Sequence, residues 1–595
     1  MKIELLIATL MVCVLTLAGL WFITGYCTDF IYSGSTINSL FWPWQCIIWA
    51  AKWFNTNPDF WGRVWIYIIS VILSNLFILN LYSFVRRRQK RKSSTYGTAE
   101  WAKEKDLAQA GLLNNEGVVF GQTADAVLKS NFKKSSFAAF FNTPARNNSS
   151  ALAQLKMGRH LLTHNGAEHV FCFAPTGSFK TVSAVIPTLL NWPHSAVIYD
   201  IKKELWRITA GWRASFSFCF YFDPTSVDSI RINPLAEIRK GAYEVKDTQL
   251  IAEAIVSAYS TKENRDHWRI SSCNLIVGVI LHLLYDKNEN DKTLAAIPKF
   301  LSNPHRSLQD TLEHMLNYPH LGEEAHPVVT SCAKEMLNKA PAELSGIVST
   351  AMSFFGLYQD SIIARNTSVS DITIDSLVYG KSPLSLYLVV PPSDIERTKP
   401  VIRLLLDLIG KRLTEKMDVD NRHRLLMMLD EFPTLGHLDF FETQLAYLRS
   451  YHIKCFLIAQ SLNQIEKVYG AHNAILDNSH IRVTYGALDE KTAKRISDLL
   501  GQSTVLQQQF NLSGERFSPL LGNVSQQHQE AARPLLTAGE ILQLPAEDAL
   551  VMVGNTKPYK AKKILYYQDM RFKNRAGLPT PQQDAELRGF IKNVA

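Results

Sequence analysis

The stretch that decides the fold runs from Val170 to Thr181 and reads VFCFAPTGSFKT. Its opening Val-Phe-Cys-Phe is apolar and predicts a short buried strand. Pro-Thr-Gly-Ser then favours a turn, and a Lys-Thr pair opens a helix. This is the arrangement of a phosphate-binding loop, in which backbone N–H groups and a helix N-terminus face an anion. The predicted phosphate-binding residues are Pro175, Thr176, Gly177, Ser178, Phe179, Lys180 and Thr181.

The loop departs from the pattern G-x-x-x-x-G-K-[ST] at both glycine positions, which hold Ala174 and Phe179. Glycine before the lysine lets the backbone approach phosphate without a side chain in the way. Phe179 must therefore turn its ring outward or crowd the nucleotide. We expect Lys180 to contact the outer phosphates of ATP and the Thr181 hydroxyl to ligate Mg²⁺. The alternative is a strand–turn–helix junction that contains Lys-Thr by coincidence.

A second apolar strand, Leu425–Leu429, leads directly into two acids, Asp430 and Glu431. A nucleotide site needs carboxylates at a strand tip, because both Mg²⁺ and the attacking water require them. Asp430 is the predicted metal ligand, with Thr181, and Glu431 is the predicted group that orients and deprotonates water. The alternative is a pair of ordinary acids that cap a turn.

A third buried strand, running from Ile453 to Ala459, ends at Gln460. A polar residue at the end of the strand beside the acidic one could sense the γ-phosphate, and we assign that role to Gln460. Arg449, just before this strand, could reach the nucleotide of a neighbouring subunit as an arginine finger. Solvent exposure is the alternative for both side chains.

The chain has 595 residues, which is too long for one hydrophobic core. From Ser93 onward, strand and helix signals alternate, which favours an α/β fold with a mostly parallel sheet. The predicted strands are Val170–Ala174, Ser195–Asp200, Phe216–Asp223, Leu384–Val390, Leu425–Asp430, Lys454–Ala459, His480–Tyr485 and Ala549–Gly554. Helical periodicity dominates residues 241–370, and the polar, Gln-rich segment 502–532 is predicted to be an exposed hairpin or a mobile loop.

Two apolar runs near the start, Leu5–Ile23 and Val64–Val85, each approach the ~20 residues needed to cross a bilayer. We interpret them as a transmembrane hairpin rather than a signal peptide. The basic cluster at 86–92 predicts that both termini are cytoplasmic, because basic flanks stay on that side. The intervening loop carries tryptophans typical of headgroup depth, and a disulfide between Cys27 and Cys46 is left open. The tryptophans are Trp42, Trp44, Trp49, Trp53 and Trp61.

Charge and the remaining cysteines are less informative. The net charge is +9, and the local cluster at 86–92 contributes much of it, so charge alone makes a weak case for nucleic acid. Cysteines beyond the loop lie in apolar contexts without metal-like spacing, which is typical of reduced core residues.

Several short strings, in order, resemble those of the coupling ATPases of type IV secretion and conjugation systems. They include the short motif after the membrane segment, an Asp-x-Lys-x-Glu string, an Asn-Pro-Leu string, the acidic and glutamine strand ends, a basic residue before the glutamine strand, and a C-terminal block. In this chain they are Tyr96–Ala102, Asp200–Leu205, Ile232–Leu235, Leu429–Phe432, Ala459–Ser461, Arg449, and Arg533–Thr537 with Glu540-Ile541. The resemblance covers nearly the whole chain.

The resemblance implies a RecA-like P-loop NTPase core with an all-helical insertion, anchored by the two-helix hairpin. The implied units are residues 1–92 (membrane hairpin), 93–240 (first part of the nucleotide-binding domain), 241–370 (substrate-facing insertion) and 371–595 (second part). It further implies a homo-hexameric ATPase of the bacterial inner membrane, with ATP and Mg²⁺ as cofactors. Such a ring would pass relaxase-bound single-stranded DNA, effector proteins or both to a secretion channel.

Two other functions remain open. An FtsK-like DNA translocase shares the core and the anchoring, although the helical segment and the C-terminal block argue against it. A recruiting receptor that binds nucleotide weakly and does not pump is kept open by Phe179. Nonspecific DNA contacts would come from basic loops; Lys557, Lys560, Lys562 and Lys563 form one such cluster, for which a solvated face is the alternative. A membrane carrier is excluded because two spans with no intramembrane acid or base beyond Glu4 offer no transport path.

Overall fold

A computed structural model of the chain describes residues 2–31, 42–88, 95–123, 127–128, 157–158, 160–259, 267–287, 290–417, 423–513 and 523–582. The chain forms two compact units, Met1–Thr95 and Tyr96–Ala595. The predicted basic cluster at 86–92 lies largely outside the described residues.

The second unit contains an eleven-stranded mixed sheet and two short two-stranded sheets. The strands, in chain order, are β1 Val118–Gln122, β2 Val127–Leu128, β3 Met157–Gly158, β4 Leu161–His164, β5 Val170–Phe173, β6 Ser195–Asp200, β7 Phe218–Phe222, β8 Leu384–Val389, β9 Leu425–Leu429, β10 Ile453–Ala459, β11 Ile481–Thr484, β12 Gln502–Ser513, β13 Asn523–Pro534, β14 Asp548–Val553 and β15 Tyr559–Lys562.

The described helices lie on both faces of the large sheet and in the first unit. They are Lys2–Ile31, Gln45–Trp53, Pro58–Arg88, Glu104–Gln109, Ile186–Leu189, Glu204–Arg213, Glu244–Ala258, His267–Tyr285, Ala296–Leu301, Leu308–Asn317, Pro327–Leu337, Pro341–Ser353, Ser361–Asn366, Ser376–Tyr379, Ile395–Leu413, Asp439–Leu448, Leu462–Tyr469, Glu490–Leu500, Ala538–Leu542 and Met570–Ala576.

The large sheet has the order β4-β1-β15-β14-β11-β5-β10-β9-β6-β8-β7. From β11 to β7 all neighbours are parallel, whereas β14, β15, β1 and β4 add an antiparallel edge. The prediction of a mostly parallel sheet is therefore confirmed, and each of the eight predicted strands belongs to it. β1, β4 and β15 were missed, because strands such as Tyr-Lys-Ala-Lys are short and half polar.

Both faces of the parallel strands are buried, which explains their continuous apolar sequences. In β5, Phe171 and Phe173 face one core, while Val170 and Cys172 face the other. This alternation follows from the two-residue period of a strand. Both side-chain layers therefore hold the strand that leads into the predicted phosphate-binding loop.

The described chain between residues 241 and 370 forms helices and turns, as its periodicity predicts. Many of its apolar side chains join the same core as one face of the sheet. Asn233, of the Asn-Pro-Leu string, contacts this segment at two points: its amide donates hydrogen bonds to the carbonyls of Lys292 and Ser368, each 3.0 Å away. A separate substrate-facing insertion domain stays a prediction.

The Gln-rich segment forms a hairpin of β12 and β13, one of the two predicted alternatives. The Tyr-Gly-Thr string docks on its base, where Thr98 bridges Ser503 and the Ala99 N–H donates to the Gln502 carbonyl at 3.0 Å. A Cβ on Gly97 would lie 2.7 Å from the Gln502 carbonyl carbon. Glycine is therefore required by a close backbone approach.

The first unit contains two long helices, Lys2–Ile31 and Pro58–Arg88, joined in part by the helix Gln45–Trp53. By length and composition, three described helices could cross a membrane: Val12–Ile31, Pro58–Ile78 and His267–Tyr285. The third is mostly buried among the helices of the second unit, which identifies it as a core helix. Cys27 and Cys46 are both buried and are free thiols.

Candidate nucleotide site

The predicted phosphate-binding loop follows β5 and contains two residues in the left-handed region. Gly177 has φ +79°, and a Cβ there would meet nothing within 4 Å. Phe179 has φ +63°, a conformation that costs a non-glycine residue about 1–2 kcal/mol. Its side chain is 47 % exposed, so the ring turns to solvent. This is the first of the two predicted arrangements.

The helix after the loop begins with a wide π-helical turn, Thr181–Val185. The Ile186 N–H donates to the Thr181 carbonyl five residues earlier, and Pro187 has no N–H with which to continue a regular ladder. Such turns are frequent at functional sites.

The two predicted acids lie beside the loop. Because β5, β10 and β9 are parallel neighbours, their carboxyl ends meet at one edge of the sheet. The Lys180 ammonium lies 3.1 Å from Asp430 Oδ1 and donates a short hydrogen bond to Glu431 Oε1. The Thr181 hydroxyl donates to Asp430 Oδ2 at 3.3 Å. One cation therefore contacts both carboxylates.

Gln460 connects the loop to the acids. Its amide Nε2 donates to both oxygens of Glu431, each 3.1 Å away. Its Oε1 accepts a hydrogen bond from the Thr176 hydroxyl at 3.2 Å. The hydrogen-bonded series Thr176–Gln460–Glu431 thus links the loop, the end of β10 and the end of β9.

The donor set fits Mg²⁺. Asp430 Oδ1 is buried and accepts no hydrogen bond within the described part of the chain, although it faces the Lys180 ammonium. The Thr181 hydroxyl contacts the other oxygen of the same carboxylate. Carboxylate and hydroxyl oxygens are the ligands that Mg²⁺ prefers. Asp430 and Thr181 would hold the ion, and its bound charge would neutralise phosphate oxygens.

Arg449 lies apart from these residues. It is exposed and precedes β10, at the amino-terminal edge of the parallel strands. The seven-residue strand β10, about 23 Å long, lies between it and Gln460. Within one chain Arg449 therefore does not join the site.

Asp200, at the tip of β6, organises the start of the next helix. Its carboxylate accepts hydrogen bonds from the N–H groups of Lys202, Glu204 and Trp206 at 2.9–3.3 Å. Burial raises the pKa of Asp200 to about 6, against the lowering effect of these hydrogen bonds. The Asp-x-Lys-x-Glu string thus has a local capping role.

The C-terminal lysine cluster is not a uniform basic face. Lys557, Lys560 and Lys562 each pair with a carboxylate. Lys563 is instead 8 % exposed and donates hydrogen bonds to the carbonyls of Ser178, at 3.1 Å, and Tyr485, at 3.0 Å. Sequence reasoning missed this contact with the loop. The only signal was the position of Lys563, directly after the alternating strand β15.

Comparison with solved structures identifies the same fold in a known protein. Two solved structures of the plasmid coupling protein TrwB share the fold. The complex with a non-hydrolysable ATP analogue has a TM-score of 0.55, with 16% identity over 80% of this chain and 95% of that chain. The complex with ADP and Mg²⁺ has a TM-score of 0.50, with 18% identity over 67% and 86%.

Sequence comparison gives a closer likeness. The chain is 37% identical to the conjugal transfer protein TraG of Escherichia coli, over 93% of this chain and 90% of that protein. It is 26% identical to protein VirD4 of Rhizobium radiobacter, over 88% and 71%. The family model described as "Type IV secretory system Conjugative DNA transfer" matches residues 100–588. The chain therefore belongs to this family of type IV secretion coupling proteins.

Proposed function

We propose that the chain is a membrane-anchored ATPase that couples a transfer substrate to a type IV secretion channel. The observation that carries the proposal is the contact set at the carboxyl edge of the sheet. There Lys180 bridges Asp430 and Glu431, and Gln460 joins Glu431 to the loop. These are the groups that binding and hydrolysis of a nucleoside triphosphate require, and Lys180 lies 251 positions before Glu431 in the chain.

The roles follow from the chemistry of each group. Lys180 and the N–H groups of the loop bind the phosphates, and bound Mg²⁺ supplies further positive charge to them. Glu431 accepts a proton from the attacking water. Gln460 donates to both Glu431 oxygens, so it orients this base and can report the γ-phosphate to the neighbouring loop. The TrwB complexes with ADP and Mg²⁺ and with an ATP analogue support an adenine nucleotide with Mg²⁺ as the ligand.

The assembly is part of the same proposal. In a homo-hexameric ring the exposed Arg449 would enter the nucleotide site of the next subunit and stabilise charge there. This explains why a basic residue stands at the edge opposite the chain's own site. Hydrolysis in one subunit would then be linked to its neighbour.

We assign the two helices of the first unit to the bacterial inner membrane, with both termini in the cytoplasm. Their length and apolar composition support this assignment. The substrate would be relaxase-bound single-stranded DNA, an effector protein or both, with DNA held nonspecifically through its phosphates. The partners would be the channel components of the secretion system.

Steady-state ATP hydrolysis by the full chain in detergent tests the proposal, with and without single-stranded DNA. We expect DNA to stimulate hydrolysis and Lys180→Ala to abolish it. Lys491→Ala is the matched control, because Lys491 pairs with Glu466 on a surface helix. Absence of hydrolysis in the wild type, with activity gained in Phe179→Gly, would favour the recruiting receptor instead. The left-handed Phe179 is the observation that supports that second candidate.

A further inference from the structure

Lys563 contacts the phosphate-binding loop from outside the motif. Its ammonium donates to the Ser178 carbonyl at 3.1 Å and to the Tyr485 carbonyl at 3.0 Å, and it lies 4.9 Å from the centre of the Tyr485 ring. Unlike Lys557, Lys560 and Lys562, its contacts are carbonyl oxygens and an aromatic face rather than a carboxylate. A buried cation held in this way fixes a backbone peptide instead of balancing a charge.

The residues after Lys563 contact the chain beyond Lys180, the lysine of the phosphate-binding loop. The Ile564 N–H donates to the Ser183 hydroxyl at 3.1 Å, and the Tyr566 N–H donates to the Val182 carbonyl at 3.4 Å. The segment 563–566 therefore contacts the chain on both sides of Lys180 and Thr181. The loop is held by β5 from within the sheet and by this segment from outside it.

We propose that Lys563 is a positioning residue for nucleotide binding, acting by fixing the peptide between Ser178 and Phe179. A peptide unit is planar, so an anchored Ser178 carbonyl also sets the direction of the Phe179 N–H. That N–H is one of the loop donors available to phosphate. The inference rests on the proposed nucleotide function and adds a residue that lies about 380 positions along the chain from the loop.

Phe179 explains why an anchor is needed here. The usual glycine at this position adopts a left-handed conformation at no steric cost, whereas a phenylalanine resists it. Phe179 nevertheless has φ +63°. The Ser178 carbonyl that Lys563 holds belongs to the peptide directly before Phe179. The lysine therefore fixes the backbone next to the residue whose side chain disfavours the left-handed conformation.

The binding test uses the full chain in detergent and a fluorescent ATP analogue. Lys563→Met keeps the apolar stem and removes the donor, and we expect it to weaken binding by about 10- to 100-fold, the loss typical of a hydrogen bond from a charged group. At saturation kcat should stay within about threefold, because the reacting groups are unchanged. Lys563→Arg should recover most of the affinity. The control Lys557→Met removes an exposed pair with Glu100 and should bind like the wild type.

A pH series gives a second readout. Burial lowers the pKa of Lys563 to about 8, while the nearby Cys172 and Asp548 act in the opposite direction. Loss of the charge weakens the hydrogen bonds that it donates. Nucleotide affinity of the wild type should therefore fall as pH rises through 8, and the fall should be absent in Lys563→Arg, since arginine stays charged. A fall of equal size in both proteins would contradict the role of Lys563.

Hydrogen exchange without nucleotide separates positioning from general stability. We expect Lys563→Met to speed exchange in peptides that cover residues 176–183, while β9 and β10 keep their protection. Unchanged affinity and unchanged exchange would overturn the inference, as would loss of protection throughout the sheet. If the wild type binds no nucleotide, the proposed function falls and this inference with it; if the wild type binds and Lys563→Met binds equally well, only the inference falls.

Discussion

Replacing Gln460 with alanine removes the side chain that links Thr176 of the phosphate-binding loop to Glu431. Three hydrogen bonds are lost: two from the amide to the Glu431 carboxylate, at 3.1 Å each, and one accepted from the Thr176 hydroxyl at 3.2 Å. The backbone should hold its position, because the Gln460 N–H donates to the Gln464 side chain at 2.9 Å and β10 is buried along its length.

The expected loss can be worked from these contacts. The two bonds to Glu431 share one amide group, so they count as one donor to a charged acceptor, worth about 1.5–3 kcal/mol. Every 1.36 kcal/mol in the barrier is a factor of ten in rate. Gln460→Ala should therefore lower kcat by about 10- to 100-fold. Affinity for ATP should change little, because Lys180 and the loop N–H groups remain.

The assay measures kcat and KM for ATP hydrolysis by the full chain, with the affinity for an ATP analogue measured on the same samples. Gln444→Ala is a matched control, since its amide lies on the helix Asp439–Leu448 and contacts Thr414 away from the site. Its kcat should stay within about threefold of the wild type. A kcat for Gln460→Ala within that same range would refute the role of Gln460, and so would an effect confined to KM.

Three further predictions concern the framework that carries the site. Gly97→Ala should destabilise the second unit by about 1–3 kcal/mol and lower the thermal unfolding midpoint, because the new Cβ meets the Gln502 carbonyl; an unchanged midpoint would contradict this. Asn233→Ala should lower the urea midpoint, since it leaves the carbonyls of Lys292 and Ser368 without their donor, and a wild-type midpoint would show that these bonds are not needed. Burial raises the pKa of Asp200 to about 6, above its unfolded value, so this group favours the folded state increasingly as pH falls from about 6 towards 4. The difference in unfolding midpoint between the wild type and Asp200→Asn should therefore shift with pH over that window, and a constant difference would exclude the effect.

The elements nearest the site were the easiest to predict. β5, β9 and β10 are buried on both faces, so their sequences are largely apolar, and β9 and β10 are each followed directly by a polar residue, Asp430 and Gln460. The parallel order then brings Lys180, Asp430, Glu431 and Gln460 to one edge. Arg449 is different because it precedes β10. A residue before a parallel strand lies at the amino-terminal edge of the sheet, opposite the site. This position follows from the direction of the strand and cannot be obtained from motif spacing alone.

The antiparallel edge and Lys563 were beyond a motif-based prediction. β15 has four residues with two lysines, and nothing local distinguishes it from a polar loop. Lys562 and Lys563 are adjacent lysines with opposite environments, because successive strand residues face opposite sides. Lys562 is half-buried and pairs with Asp548, whereas Lys563 is buried and donates to the Ser178 carbonyl of the loop. Which of the two lysines is buried depends on how β15 packs against parts of the chain that are far from it in sequence.

The central claim is that this site hydrolyses ATP with Glu431 as the base. The most direct measurement is steady-state hydrolysis and ATP-analogue binding by the full chain and by Glu431→Gln, with Glu466→Gln as a surface control. The account predicts that Glu431→Gln binds the analogue as the wild type does and hydrolyses ATP at least about 100-fold more slowly. Equal hydrolysis by the two proteins would contradict it, and binding without hydrolysis by the wild type would identify a recruiting receptor instead of a motor.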